Sequence, residues 1–236
     1  TLIFALGYLL LWPGLGSFPG LMGWTSQGQY EAEVKAAEAK FMPVYAGFMK
    51  QDIATVAADP EAQAIGRNLY LTYCMQCHGS DAGGARGFPN LADNEWQWGG
   101  DPESIRVSIV EGRIGVMPAL GDALGADGTK AVTHYVLALA GREHDTQQAE
   151  LGRPKFEQLC AACHMADGSG MQAIGAPSLT DNVWLYGGSE ASIIESIAKG
   201  REGVMPGAAG TLGTTANREA KLHLLTAYVY GLSQQK

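Results

Sequence analysis

The chain has 236 residues, of which 46% are hydrophobic, and it carries a formal net charge of −8 at neutral pH. An acidic chain lacks the basic surface on which nucleic-acid binding depends, so we exclude nucleic acid as a partner. All four cysteines fall in two copies of one short motif.

Residues 1–12 form an uncharged apolar run. The run is shorter than the ~20 residues that a helix needs to cross a bilayer. Tyr8 and Trp12 suit the interface between membrane and water, and no lysine or arginine occurs before Lys35. We interpret the run as the outer end of a transmembrane helix that leaves the bilayer on its non-cytoplasmic side. A buried core segment is the alternative.

Residues 13–59 are predicted to connect this helix end to the rest of the chain. Prolines and glycines between positions 13 and 20 interrupt any helix there. The remainder of the segment is rich in aromatic side chains, and we expect these to pack against a partner protein: Trp24, Tyr30, Phe41, Tyr45 and Phe48.

The rest of the chain is an internal repeat. The pattern Gly66-x-x-x-Tyr70 recurs as Gly152-x-x-x-Phe156, and Gly-Arg-x-Gly-Val-Met-Pro occurs at 112–118 and again at 200–206. We predict two tandem domains, at 60–142 and 150–236, joined by a linker at 143–149. Each repeat is small for a self-sufficient aliphatic core, so a bound apolar group is expected to complete it.

Helix signals recur at matching points of the two repeats. Asp59-Pro60 and Asp101-Pro102 each combine an N-cap with a proline in the first turn, and Ser189 caps the counterpart of the second helix. Helical periodicity follows at 132–139 and at 222–232. No segment alternates convincingly as a strand, so we assign the fold to the all-α class with long glycine-rich loops.

The motif that holds the cysteines is Cys-x-x-Cys-His. It occurs as Cys74, Cys77 and His78 in the first repeat, and as Cys160, Cys163 and His164 in the second. This spacing is the attachment signature of c-type haem, in which two thiols bind one porphyrin and the histidine reaches the iron. We therefore predict two covalently bound haems c in an oxidising compartment outside the cytoplasm.

Three other interpretations of the motif are weaker. A structural disulfide gives no role to the histidine that follows both pairs, and a zinc ribbon does not need that histidine in both copies. A thioredoxin-like redox pair belongs to a βαβ pattern, which we do not find in the sequence.

Met117 and Met205 are the candidate ligands for the opposite face of each iron. They lie 39 and 41 residues after the motif histidines, in a shared Gly-Val-Met-Pro frame. His134 and His223 are the rival ligands, but each falls off the apolar stripe of its helix and is expected to face solvent. An iron with two protein ligands carries electrons and offers no open site for oxygen or peroxide.

Further residues have roles that follow from the haem interpretation. An iron-bound histidine needs a partner for its second ring nitrogen, and the carbonyls of Pro89 and Pro177 are predicted to supply it. Arg113 and Arg201 are predicted to pair with the haem propionates. The alternatives are ordinary turn prolines and surface charges. Aromatic side chains are candidates for the haem edge: Trp96, Trp98, Trp184 and Tyr186.

Over essentially its whole length, the chain resembles the dihaem cytochrome c subunit (subunit III) of cbb3-type cytochrome c oxidases. The most specific parts are 8–16, Gly87-Phe88-Pro89-Asn90-Leu91 and Gly115-Val116-Met117-Pro118. The resemblance implies two class I cytochrome c domains, exposed to the periplasm and anchored in the bacterial inner membrane. It also implies that one haem iron is held by His78 with Met117 and the other by His164 with Met205.

The same resemblance implies a place in respiration. A cytochrome c donor supplies electrons, which pass to a monohaem cytochrome c subunit and then to a haem–copper subunit that reduces oxygen and pumps protons. The chain itself is expected to have no catalytic site.

Other classes of protein share part of the pattern. A dihaem electron carrier has the two domains but normally lacks the anchor and the aromatic segment. A haem subunit of a membrane dehydrogenase is closer, and the amino-terminal segment separates it from the oxidase subunit. A dihaem peroxidase needs one iron without a fixed distal ligand, and the paired methionines count against it.

Overall fold

The computed structural model describes residues 1–12, 20–208, 210–213 and 215–234, and it divides into two compact units, 1–50 and 51–236. The first unit contains helix α1 (Leu2–Leu11) and helix α2 (Ser26–Phe48). The side chain of Thr25 caps α2 by accepting a hydrogen bond from the backbone N–H of Gly28. The predicted interruption by proline and glycine at 13–19 lies outside the described residues. No described helix combines the length and the apolar character that a bilayer crossing requires.

The second unit contains both repeats. The first repeat forms α4 (Pro60–Tyr73), α5 (Met75–His78), α6 (Pro102–Glu111), β1 (Gly112–Met117) and α7 (Gly121–Leu139), and α3 (Ile53–Ala57) precedes it. The second forms α8 (Thr146–Leu159), α9 (Ala161–His164), α10 (Glu190–Lys199), β2 (Arg201–Pro206) and α11 (Thr215–Gln234). The predicted N-caps are confirmed, since the side chains of Asp59, Asp101 and Ser189 accept hydrogen bonds from the first turns of α4, α6 and α10.

The two repeats exchange their last helices. The first core joins Tyr70 of α4 and Ile105 of α6 to Leu225 and Val229 of α11. The second core joins Phe156 of α8 and the apolar face of α10 to the middle of α7. The predicted ranges 60–142 and 150–236 therefore describe the sequence repeats, whereas each packed core takes one helix from the other repeat.

Close helix crossings hold the exchanged helices. A Cβ atom at Gly66 of α4 would lie 2.6 Å from the Cβ of Tyr228 and 2.9 Å from the backbone oxygen of Leu224, both on α11. Gly152 of α8 makes a similarly close approach to the backbone of α7 at Ala131. These contacts explain the glycine that opens each copy of the Gly-x-x-x-aromatic pattern. The aromatic residue then packs on a tyrosine of the exchanged helix, with ring centroids 5.4 Å apart for Tyr70 and Tyr228.

A two-stranded antiparallel sheet lies where the chain crosses between the cores. Strands β1 and β2 pair with Gly115 opposite Gly203, Arg113 opposite Met205 and Met117 opposite Arg201. The fold is mostly helical, as predicted, but these strands were not predicted. Each has only six residues, contains glycine, and finds its partner in the other repeat, so the sequence carries little local strand signal.

Candidate haem sites

Each Cys-x-x-Cys-His motif folds as one tight turn after a longer helix. Helix α4 ends at Tyr73, and the backbone N–H groups of Cys77 and His78 both donate to the carbonyl of Cys74, at 3.2 and 3.1 Å. The second motif repeats the pattern, with Cys163 and His164 donating to Cys160 at 3.1 and 2.9 Å. The turn holds both cysteines and the histidine of each motif within five consecutive residues.

The two motif histidines are buried and oriented in the same way. His78 is 7% exposed and His164 is 8% exposed. The Nδ1 atom of His78 lies 3.0 Å from the carbonyl oxygen of Pro89, and that of His164 lies 3.0 Å from the carbonyl of Pro177. A carbonyl can only accept, so Nδ1 carries the proton and Nε2 keeps the lone pair with which imidazole binds a metal. Burial lowers the pKa of His164, which favours this neutral form.

Glycine-dependent loops bring the two prolines to the histidines. The N–H of Gly84 donates to the carbonyl of His78 at 2.9 Å, and Gly170 donates to His164 at 3.0 Å. Both glycines have positive φ, and a Cβ at Gly84 would lie 2.7 Å from the backbone nitrogen of Asn90. Side chains are therefore excluded where each loop folds back over its histidine.

The cysteines suit thioether attachment. All four thiols are free of disulfides. Burial, with a smaller contribution from the neighbouring cysteine, raises the pKa of Cys74 and of Cys160 to about 11. These positions disfavour a thiolate but tolerate a neutral thioether. In the described part of the chain, no three His, Cys, Asp or Glu side chains cluster as a metal site. The donor set therefore fits c-type haem.

The two methionines lie on the inner face of the sheet, each beside an arginine of the other strand. Met117 packs against the second core, which contains Cys160, and the following Leu120 donates its N–H to Ile197 of α10 at 2.9 Å. Beyond Met205, Ala208 donates to Ile109 of α6 in the first core at 2.8 Å. This packing favours the histidine of the other repeat as the partner of each methionine. The pairing of Met117 with His78 and of Met205 with His164 implied by the resemblance stays a prediction.

Arg113 and Arg201 occupy equivalent, partly buried positions. The Nε of each donates to a serine hydroxyl five residues earlier, Ser108 or Ser196, at 2.9 Å in both cases. The guanidinium of Arg113 lies 5.0 Å from the ring centroid of Trp98, and that of Arg201 lies 4.6 Å from the ring of Tyr186. Each arginine is thus held by a serine of α6 or α10 and by an aromatic ring that precedes that helix.

One further group, Trp184, points to a bound acceptor. Its indole N–H is buried with no hydrogen-bond partner among the described residues, while its ring packs against the second core. Buried donors are rarely left unpaired in native proteins. A carboxylate of a haem in that core would supply the missing acceptor. The sequence identified Trp184 as a haem-edge candidate but carried no sign of this orphaned donor.

The expectation that His134 faces solvent is wrong. It is 7% exposed, accepts a hydrogen bond at Nδ1 from the backbone N–H of Asp145, and places Nε2 3.6 Å from the Glu190 carboxylate. These partners stand at the starts of α8 and α10, so His134 joins elements of the second core. Helix α7 has a second buried face because it packs on both α8 and α10. His223 is half-buried.

Comparison with known proteins places the chain in one family. The family model for cytochrome c oxidase, cbb3-type, subunit III matches residues 61–136 and again 147–221. A cbb3-type cytochrome c oxidase subunit CcoP from Rubrivivax gelatinosus is 45% identical over 235 residues, which cover 99% of this chain and 75% of the relative. CcoP from Cereibacter sphaeroides is 36% identical, covering 98% of this chain and 85% of the relative. FixP from Bradyrhizobium sp. is 34% identical, covering 100% and 86%. The chain therefore belongs to the subunit III family of cbb3-type cytochrome c oxidases.

Proposed function

We propose that this chain is a dihaem electron-transfer subunit of a cbb3-type oxidase, with one haem c at Cys74, Cys77 and His78 and a second at Cys160, Cys163 and His164. The observation that carries the proposal is the buried histidine with Nδ1 tied to a proline carbonyl, which occurs once in each repeat with the same 3.0 Å separation. Haem c, when bound, supplies reversible one-electron chemistry at its iron.

The protein's residues orient and insulate the two sites. The carbonyls of Pro89 and Pro177 hold the imidazole rings in place and increase their basicity as ligands. The first core packs against Cys74 and the second contains Cys160, so apolar side chains limit the access of water to that side of each motif. The buried indole N–H of Trp184 would donate to a carboxylate of a haem bound in the second core.

We assign the methionines crosswise, Met205 to the site of His78 and Met117 to the site of His164. The support is the packing of Met117 on the second core and the hydrogen bond that ties Ala208, shortly after Met205, to α6 of the first core. A histidine and a thioether would hold each iron and would leave no vacant position for oxygen. The chain therefore relays electrons and leaves oxygen reduction to another subunit.

Haem stoichiometry tests the main proposal. We expect the purified chain to carry two haems that remain attached after denaturation and acid–acetone extraction. A matched variant with Cys160 and Cys163 replaced by alanine should retain one. A single haem in the unaltered chain, or haem that is extracted by acid–acetone, would refute dihaem attachment.

Nuclear magnetic resonance of the reduced protein tests the crossed ligation. Methyl groups of iron-bound methionines shift far upfield because of the porphyrin ring current, so two such signals are expected. In Met117→Leu one signal should remain, and its through-space contacts should be to the haem joined to Cys74 and Cys77. Contacts to the haem at Cys160 and Cys163 would show that each methionine serves its own repeat.

We further propose that residues 1–50 attach the subunit to the inner membrane and to the haem–copper and monohaem cytochrome c subunits, with the haem sites in the periplasm. The first unit presents large apolar side chains to its surroundings, among them Phe4, Leu6, Leu21, Tyr30 and Phe41. A chain beginning at Gln51 should keep both haems but no longer co-purify with the haem–copper subunit. Full assembly of that shortened chain would contradict this role.

A cytochrome c is the proposed electron donor. The net charge of −8 favours a donor with a basic docking surface. Reduction of the haems by such a donor should slow as ionic strength increases, because salt screens the attraction between exposed charges. A rate independent of ionic strength would argue for an apolar docking surface instead.

A further inference from the structure

The two haem sites differ at one charged position that the repeat makes easy to see. Helices α6 and α10 align through four residues each, which are Ser104, Ile105, Ser108 and Ile109 in α6 and Ser192, Ile193, Ser196 and Ile197 in α10. In this alignment Glu195 is the equivalent of Val107. One site therefore has a carboxylate where the other has a methyl-bearing side chain.

The difference changes the environment of the equivalent arginines. Arg113 and Arg201 share the serine contact through Nε and the aromatic ring beneath the guanidinium. Their Nη2 atoms diverge: that of Arg113 donates to the backbone carbonyl of Ser104 at 3.3 Å, whereas that of Arg201 donates to the Glu195 carboxylate at 3.1 Å. None of the ion pairs formed between described residues includes Arg113.

Arg201 is the least exposed of the three cations that pair with Glu195. It stands directly opposite Met117 in the sheet, and its side chain is only 19% exposed. Arg86 and Lys199 also pair with Glu195, at 3.3 and 3.6 Å, but their side chains are 64% and 75% exposed. Water screens these two charges strongly, so the ionised Glu195 acts mainly on Arg201. The hydrogen bond and charge of Arg201 hold the pKa of Glu195 below its ordinary value, so the carboxylate is ionised at neutral pH.

We propose that Glu195 makes the two haem sites electrostatically unequal, by lowering the reduction potential of the haem bound at Cys160, Cys163 and His164. A cation near the iron favours the ferrous state because it offsets the electron that is added, and a carboxylate that neutralises the cation removes this effect. Arg113, beside the other site, has no such carboxylate partner among the described residues. Glu195 is thus a positioning residue that acts through the charge of Arg201, and it biases the added electron toward the haem at Cys74, Cys77 and His78.

The proposal rests on the proposed function, since it requires both haems. Its test is a redox titration of the full chain carrying both haems, followed by nuclear magnetic resonance so that the methyl signals of each haem report its potential separately. Glu195→Gln should raise the potential of the haem at Cys160 and leave that of the haem at Cys74 unchanged, and the rise should shrink at high salt. The haems of the unaltered chain are counted first. If there are two, a failed redox test would contradict the role of Glu195 and not the proposed dihaem function.

Two further variants complete the test. Glu190→Gln removes a carboxylate from the same helix, but one that faces His134 instead of Arg201, and it should produce a much smaller shift. Val107→Glu introduces the carboxylate into the first repeat and should lower the potential of the haem at Cys74. An unchanged potential in Glu195→Gln, an equal shift at both haems, an equal effect of Glu190→Gln, or a raised potential in Val107→Glu would overturn the proposal.

Discussion

Replacing Gly66 with alanine tests the crossing of α4 and α11 that holds the first core together. The added Cβ would lie 2.6 Å from the Cβ of Tyr228, 3.3 Å from its Cγ and 2.9 Å from the backbone oxygen of Leu224. Carbon atoms normally pack ~3.5–4.0 Å apart, so the helices would have to separate by roughly 1 Å. Two of the obstructing atoms, the Leu224 oxygen and the Tyr228 Cβ, are fixed by the α11 backbone and cannot move away by a change of rotamer.

Two opposing effects decide the magnitude. Overpacking of this kind costs about 1–3 kcal/mol, and the rigid obstruction places Gly66 at the upper end of that range. Alanine has a higher helix propensity than glycine, which returns about 1 kcal/mol. We therefore expect a net loss of about 2 kcal/mol in the free energy of unfolding, and a melting temperature lower by about 4–8 °C for a unit of this size.

Denaturant unfolding of the haem-loaded chain, followed by far-ultraviolet circular dichroism, measures the loss. Gly231→Ala is the matched control, because the added Cβ on α11 would meet mainly the flexible end of Gln63, at 2.9 Å. It should remain within about 1 kcal/mol of the unaltered chain. A Gly66→Ala chain as stable as the Gly231→Ala chain would refute the close crossing.

The other predictions concern ligation, acid stability and connectivity. Met117→His and Met205→His should each keep a low-spin iron but lower the potential of one haem, because a thioether ligand favours the reduced state; an unchanged potential measured by redox titration would rule out that methionine as a ligand. The hydrogen bonds from Ser104 hold the pKa of Asp101 below its ordinary value, so the ionised cap stabilises α6 above about pH 4 and loses this effect as the pH falls through the lowered pKa. Asp101→Asn keeps a capping oxygen, and the difference in unfolding midpoint between it and the unaltered chain should disappear toward pH 2; a difference that persists there would contradict this origin. A chain cleaved at Glu143 should still elute as one particle in size-exclusion chromatography because its halves share both cores, and separation of the halves would refute the exchange.

Local signals in the sequence predicted the starts of the helices well. Asp59, Asp101 and Ser189 start their helices through nearby backbone contacts, so a few residues contain the whole signal. The exchange of α7 and α11 depends on which of two nearly equivalent surfaces a helix packs against, and a repeated sequence is compatible with both. The sheet depends on the same choice, as does the crossed ligation that we propose for the methionines, so both also required the structure. Burial of His134 was missed because a periodicity argument assigns one apolar face to a helix, whereas α7 packs against two helices.

Because the helices are exchanged, the two cores can be completed in the reverse of the order in which their haem motifs are synthesised. All the helices of the second core lie between Gly121 and Lys199, so this core can close before the last part of the chain has been synthesised. The first core contains the earlier haem motif but needs α11, which ends at Gln234. The first haem motif therefore stays only partly enclosed until synthesis of the chain is almost complete. A premature stop after Met205 would for the same reason damage the haem site that is encoded first and leave the helices of the later one intact.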